Sequence, residues 1–178
     1  MKRVCKQFWH RLRARDGNTT IEFVMWFPFF LTLFLTSFEL SIYGMRSMML
    51  ERAVDVNVRG MRLGTNRPED MTVLKKNICE DTILFHDCER EMTIDVRKID
   101  GVGWTLPTGP IECVDRSNDY KQPDNVEYGP GGSGDLLLIR VCVKKDPFFF
   151  TTPYVMGLPR DKSGAVAIVA MSTYVNEP

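Results

Sequence analysis

Histidine is scarce in this chain, with His10 and His86 the two in 178 residues. No Cys-x-x-Cys, no Gly-x-Ser-x-Gly and no second histidine near His86 occurs. Structural zinc needs closely spaced thiols or imidazoles, and a nucleophilic hydrolase needs a base beside its nucleophile. These absences point away from metal and acyl-transfer chemistry, so no catalytic residue, metal site or cofactor is expected. No internal repeat is present, which argues against a solenoid. The formal net charge is zero, and no folded basic surface is indicated, so no nucleic-acid partner is expected. Gly129-Pro-Gly-Gly-Ser-Gly-Asp135 is rich in glycine but has no Lys-Ser/Thr after it and leads into a strand pattern, so it reads as a turn and not a phosphate loop.

Charge is missing altogether from Phe23 to Phe38. Counted from Ile21 to Tyr43, the apolar stretch reaches the roughly 20 residues that cross a bilayer at about 1.5 Å each. A basic leader precedes it. Six of the 23 Lys and Arg (Lys2, Arg3, Lys6, Arg11, Arg13, Arg15) and one of the 23 acids (Asp16) fall in residues 1–16, leaving 17 basic and 22 acidic side chains beyond. Basic flanks stay in the cytoplasm, so residues 44–178 are expected outside. A secretory signal has a shorter apolar region, about 7–15 residues, and a small-residue cut after it. No Ala-x-Ala follows this run, so the helix is expected to be kept.

Cysteine placement agrees with that topology. Cys5 lies alone in the leader, and Cys79, Cys88, Cys113 and Cys142 lie beyond the span, an even number in an oxidising compartment. Disulfides are expected in preference to zinc. The favoured pairing is Cys79–Cys88, across a short turn, and Cys113–Cys142, which pins the long loop of residues 101–134 to a strand. His86-Asp87-Cys88 then reads as part of a bridged turn and not as a nucleophile with its base.

Asn18, Thr19 and Thr20 supply N-cap chemistry for a helix running from about Thr20 to about Leu63, roughly 65 Å long. Pro28 lacks an N–H, so the Val24 carbonyl loses its partner there. Glu22 and Glu39 bracket the charge-free run, 17 residues apart. Glu22 reads as an acid at the headgroup level, and Glu39 as a solvated acid at the outer interface. A second helix is expected over Arg67–Phe85, with Met71, Leu74, Ile78 and Ile83 as its buried stripe. Alternation predicts strands at Glu91–Asp100 and Leu136–Lys145, and Ala165–Val175 reads as a third, apolar in part on both faces. The Phe148-Phe149-Phe150 cluster reads as core under a long loop, in preference to the alternative of an apolar contact patch. The fold class is α+β: a long N-terminal helix, membrane-spanning in its first half, a second helix and an antiparallel sheet of about three strands. The expected parts are residues 1–17, 18–43 and 44–178.

A glycine, four residues, then Glu-Phe at the head of such a helix resembles the processing site of type IV prepilins. With Gly17, Ile21-Glu22-Phe23, Pro28 and Glu39-Leu40, the chain is similar to the TadE/TadF family of pilin-like proteins of the Tad (Flp) pilus system. The resemblance implies a pilin-like subunit at the bacterial inner membrane, cut between Gly17 and Asn18 by a prepilin peptidase. It also implies partners in the major pilin, other pilin-like subunits and the inner-membrane platform, with Glu22 registering subunits during assembly. An uncleaved bitopic periplasmic adaptor and a pseudopilin of a type II-like secretion system fit the same residues.

Overall fold

The computed structural model describes residues 18–65, 68, 70–83, 85–99, 103, 106, 109–129 and 131–177. The elements in chain order are α1 (Asn18–Arg62), α2 (Met71–Glu80), α3 (Cys88–Glu91), β1 (Met92–Lys98), β2 (Leu136–Lys145), α4 (Pro153–Gly157) and β3 (Val166–Val175). The architecture is α+β. The chain divides into two compact units, Met1–Phe38 and Glu39–Pro178.

In the first unit, α1 carries its apolar side chains outward. Polar side chains here satisfy themselves on the helix: Thr32 Oγ1 donates to the Pro28 carbonyl at 2.7 Å, Thr36 Oγ1 to Thr32 at 2.7 Å and Ser37 Oγ to Leu33 at 2.9 Å. A hydroxyl bonded back to the carbonyl four residues earlier leaves no donor unmet in an apolar medium. Pro28 stays inside the helix.

In the second unit, three antiparallel strands lie in the order β1-β2-β3. Ile94 faces Val141, and Val143 faces Ile168. These residues share one face of the sheet, and a stripe of α1 packs on it through Leu50, Ala53, Val54, Val58 and Met61, with Leu74 and Ile78 of α2 in the same core. The spacing of that stripe is three to four residues, as a helix face requires.

The opposite face is held by charge. Asp95 and Arg140 are cross-strand partners. The carboxylate takes Arg140 at 2.5 and 3.0 Å, Arg97 at 2.8 Å and the Glu127 N–H at 3.0 Å, while Arg140 also donates to the Gly109 carbonyl at 3.1 Å. These bonds draw the loop after β1 over the sheet. Its last part pairs with β1, where Val96 donates to the Glu127 carbonyl at 2.8 Å and Gly129 to the Val96 carbonyl at 3.0 Å. Gly131 takes a positive φ of 66° and lies against Leu137, whose methyls would meet a Cβ at 3.0 Å, so a side chain is disfavoured twice over.

Cys79 is bonded to Cys88, with Cα atoms 5.7 Å apart, and Cys113 to Cys142, 5.5 Å apart. The first bridge explains why the second helix is shorter than the sequence pattern predicts. The chain leaves α2 at Asp81, Thr82 Oγ1 donates to the Cys79 carbonyl at 3.1 Å, and Asp87 turns left-handed at φ 53° before α3. Ile83, expected in the buried stripe, is 83% exposed because it sits on this turn. β1 begins at Met92 for the same reason, Cys88–Glu91 being helical.

Four carboxyls of this unit, Asp95, Asp115, Asp135 and Asp161, are held below their ordinary value. Burial pushes Asp95 up, but the hydrogen bonds from Glu127, Arg97 and Arg140 outweigh it. Burial also pushes Asp161 up, while Ser163, Lys144 and Ala165 bring it down to about 2 from an ordinary 3.8. Depressed carboxyls lend stability that is complete above their unfolded value and is lost as pH falls through the folded one. Urea midpoints of the detergent-solubilised chain are therefore expected to hold steady above about pH 5 and to fall toward about pH 2. Asp161→Asn is expected to flatten part of that fall, and a midpoint unchanged across the range would contradict the assignment.

Candidate functional site along the long helix

Two carboxylates mark the ends of the charge-free run, and their settings differ. Glu22 is exposed, one turn into α1 from Asn18. Gly17 lies outside the described residues. Between Phe23 and Phe38 the side chains are exposed except for a half-buried pair, Leu35 and Thr36. The aromatic ones touch along the helix, Phe23 and Phe27 at 5.2 Å between centroids and Trp26 and Phe29 at 6.0 Å. The helix is long and apolar enough to cross a membrane, and none of its most apolar window is buried in the protein.

Glu39 departs from the expectation of a solvated acid. It is 3% exposed. Its carboxylate accepts the Phe148 N–H with both oxygens, each at 3.1 Å, and the Phe149 N–H at 3.0 Å. Hydrogen bonds to an ionised acceptor are among the stronger ones, and here they hold a loop to a helix. The loop is shaped for this. Pro147 is buried, and Thr152 closes the turn with its N–H on the Phe149 carbonyl at 3.4 Å and its hydroxyl on the same oxygen at 3.2 Å.

Further contacts brace the latch. Arg46 donates to the Asp146 carbonyl at 3.1 Å and stands 5.2 Å over the Phe148 ring. Arg116 forks onto the Asp146 carboxylate at 2.9 and 2.8 Å, and these bonds push the guanidinium up, helped by Glu91. Tyr43 donates to the Ala167 carbonyl at 3.3 Å and meets Tyr154 edge-on at 6.0 Å. Phe148 and Phe150, expected in the core, are 56% and 49% exposed, since the turn that offers its amides to Glu39 faces these rings outward.

The remaining candidates are accounted for without chemistry. Cys88 is committed to its disulfide, so His86-Asp87-Cys88 holds no thiol. Among the described residues no group of three His, Cys, Asp or Glu side chains is placed to hold a metal. An open groove of about 860 Å³ lies between α1 and the end of β3, lined by Asp55, Arg59, Tyr174 and the Arg62–Glu177 ion pair. The Glu39 latch was missed in the sequence because its donors are backbone amides, which carry no residue signature. The one available signal was an acid closing an apolar run at the start of a helical stripe.

The elements define an α+β protein with one candidate membrane span near the N-terminus. Residues 17–59 match the family described as TadE-like protein. That match includes Gly17, Glu22, Pro28 and Glu39, and it ends within α1. Neither curated proteins nor solved structures give a match to the chain.

Replacing Glu39 by Ala is expected to expose the Phe148 and Phe149 amides to exchange. Each buried N–H left without an acceptor costs about 1–3 kcal/mol, so their hydrogen exchange should speed up roughly tenfold or more. Glu39→Gln keeps an acceptor and should lie between. Amides of β2 should keep their protection, and equal loosening of β2 would show that the latch is part of the global core.

Proposed function

We propose that this chain is a membrane-anchored, pilin-like component of Tad (Flp) pilus biogenesis, a minor pilin or pseudopilin that acts by helix packing and subunit contacts. The observation that carries this reading is the TadE-like match over residues 17–59, which takes in Gly17 and Glu22, the exposed, charge-free part of α1 and the part that enters the core of the head. An exposed apolar helix face needs lipid or other helices around it. The α+β head, with its own core and two disulfides, suits the periplasmic side, and the basic leader the cytoplasmic side.

The mechanism follows from Glu22 and the new chain end. Cleavage after Gly17 by a prepilin peptidase leaves an α-amino group on Asn18 with a pKa of about 8. Glu22 lies one turn further on and is exposed, so its carboxylate is available to an ammonium of its own or a neighbouring chain. The positive end of the helix favours the same anion. Paired in this way, Glu22 sets the height at which one subunit docks beside the next among the major pilin and other pilin-like partners at the inner-membrane platform.

Mass spectrometry of protein from cells with an active prepilin peptidase is expected to find a mature N-terminus at Asn18. Recovery of the full-length chain alone would sink this reading in favour of an uncleaved adaptor. Glu22→Ala is expected to leave the head folded and to lower pilus number, with processing less affected than assembly, because the amine exists only after the cut. Losing one partner of a poorly hydrated pair typically costs about 3–5 kcal/mol, and that loss should fall on subunit docking. Normal pilus counts in the variant would reduce Glu22 to a solvated headgroup-level acid.

A further inference from the structure

We infer that the loop between β2 and α4, together with α4, is a second membrane contact: Phe148, Phe150 and Met156 insert into the lipid interface beside the point where α1 enters the bilayer. The inference rests on the reading of α1 as a membrane span. Glu39 directly follows Phe38, the last residue of the charge-free run. Its carboxylate holds the Phe148 and Phe149 amides at 3.0–3.1 Å. The loop is therefore fixed within hydrogen-bond reach of the residue at which the apolar run stops. Any bilayer that covers the run up to Phe38 reaches the level of this loop.

The chemistry of the loop suits that depth. Phe148 is 56% exposed, Phe150 49% and Met156 58%, although Pro147, Thr152 and Val155 between and beside them are buried. An exposed apolar cluster on a braced turn marks a contact surface, and this turn is held by the residue that follows the charge-free run. The basic side chain at the cluster is Arg46, with its guanidinium over the Phe148 ring at 5.2 Å. A cation stacked on an interfacial aromatic is placed to meet a lipid phosphate. Arg160 is exposed and bridges to Val166, next to the Ala167 carbonyl that Tyr43 holds, so a second basic side chain lies at the same end of the sheet. The nearby acid Asp146 is engaged by Arg116, which removes one source of repulsion from a phosphate surface.

The occupant is the lipid because the span itself brings it there. A latch at Glu39 then has a second consequence: it sets the depth of this loop against the bilayer.

The test uses the full chain in vesicles of phosphatidylethanolamine and phosphatidylglycerol, with a benzophenone amino acid placed singly at Phe148, Phe150, Phe30 or Ile83. After illumination, adducts are identified by intact mass. A mass increase of one phospholipid is expected at Phe148, Phe150 and Phe30, and none at Ile83, which is exposed on the α2–α3 turn. Lipid adducts at Phe30 with none at Phe148 and Phe150 overturn the proposal and leave the span standing. Protein adducts in place of lipid at Phe148 and Phe150 also overturn it, assigning the patch to a subunit contact. No lipid adduct at Phe30 overturns the span and the proposal together. Glu39→Ala is expected to lower the Phe148 adduct while leaving that at Phe30 unchanged.

Discussion

Leu50, Ala53, Val54, Val58 and Met61 turn one stripe of α1 into a wall of the head's core, which α2 completes with Leu74 and Ile78. A sheet of three strands is stable only when something packs on it. Burying such a stripe releases apolar area at about 25 cal/mol per Å². The head is therefore built on a helix that begins well outside it. Within this 45-residue helix the most apolar window has no residue buried in the protein, while Leu50 to Met61 supply core residues.

The sheet's other face solves a different problem. A loop of some thirty residues has no periodic pattern to hold it, and the chain instead uses one buried charge cluster and one covalent bond. Asp95 is 2% exposed and collects Arg140, Arg97 and a backbone amide, while Cys142, two positions from Arg140, is bonded to Cys113. A buried ion pair contributes little net stability when weighed against apolar packing, but breaking one is expensive. Here its consequence is placement, since Asp95 and Arg140 each hold a different point of the loop.

Glu39 joins these two parts. An acid at the edge of an apolar run is costly unless it reaches water or donors. This one reaches donors, and the loop that supplies them follows β2 directly. The strand order then carries the restraint into the sheet, because β2 is central and pairs with both β1 and β3. Tyr43 and Arg46, one and two turns along α1 from Glu39, bind the same region, so the start of the head is fastened at three levels of one helix.

Much of the α+β pattern was legible in the sequence. Alternation at Met92, Ile94 and Val96, and at Leu137, Ile139, Val141 and Val143, reflects a sheet with one apolar face, and such periodicity survives without any knowledge of partners. The charge-free run and the resemblance at Gly17, Glu22, Pro28 and Glu39 were equally local. Tertiary structure decided the rest. It shortened α2, because a bridge from Cys79 to Cys88 requires a turn where the pattern alone allows helix. It exposed Phe148 and Phe150, for which the sequence left core and contact patch both open, because the turn faces its amides to Glu39 and these rings outward. It buried Glu39 itself. A residue's own chemistry indicates what it can bond to, but which backbone groups arrive beside it depends on chain folded more than a hundred residues away.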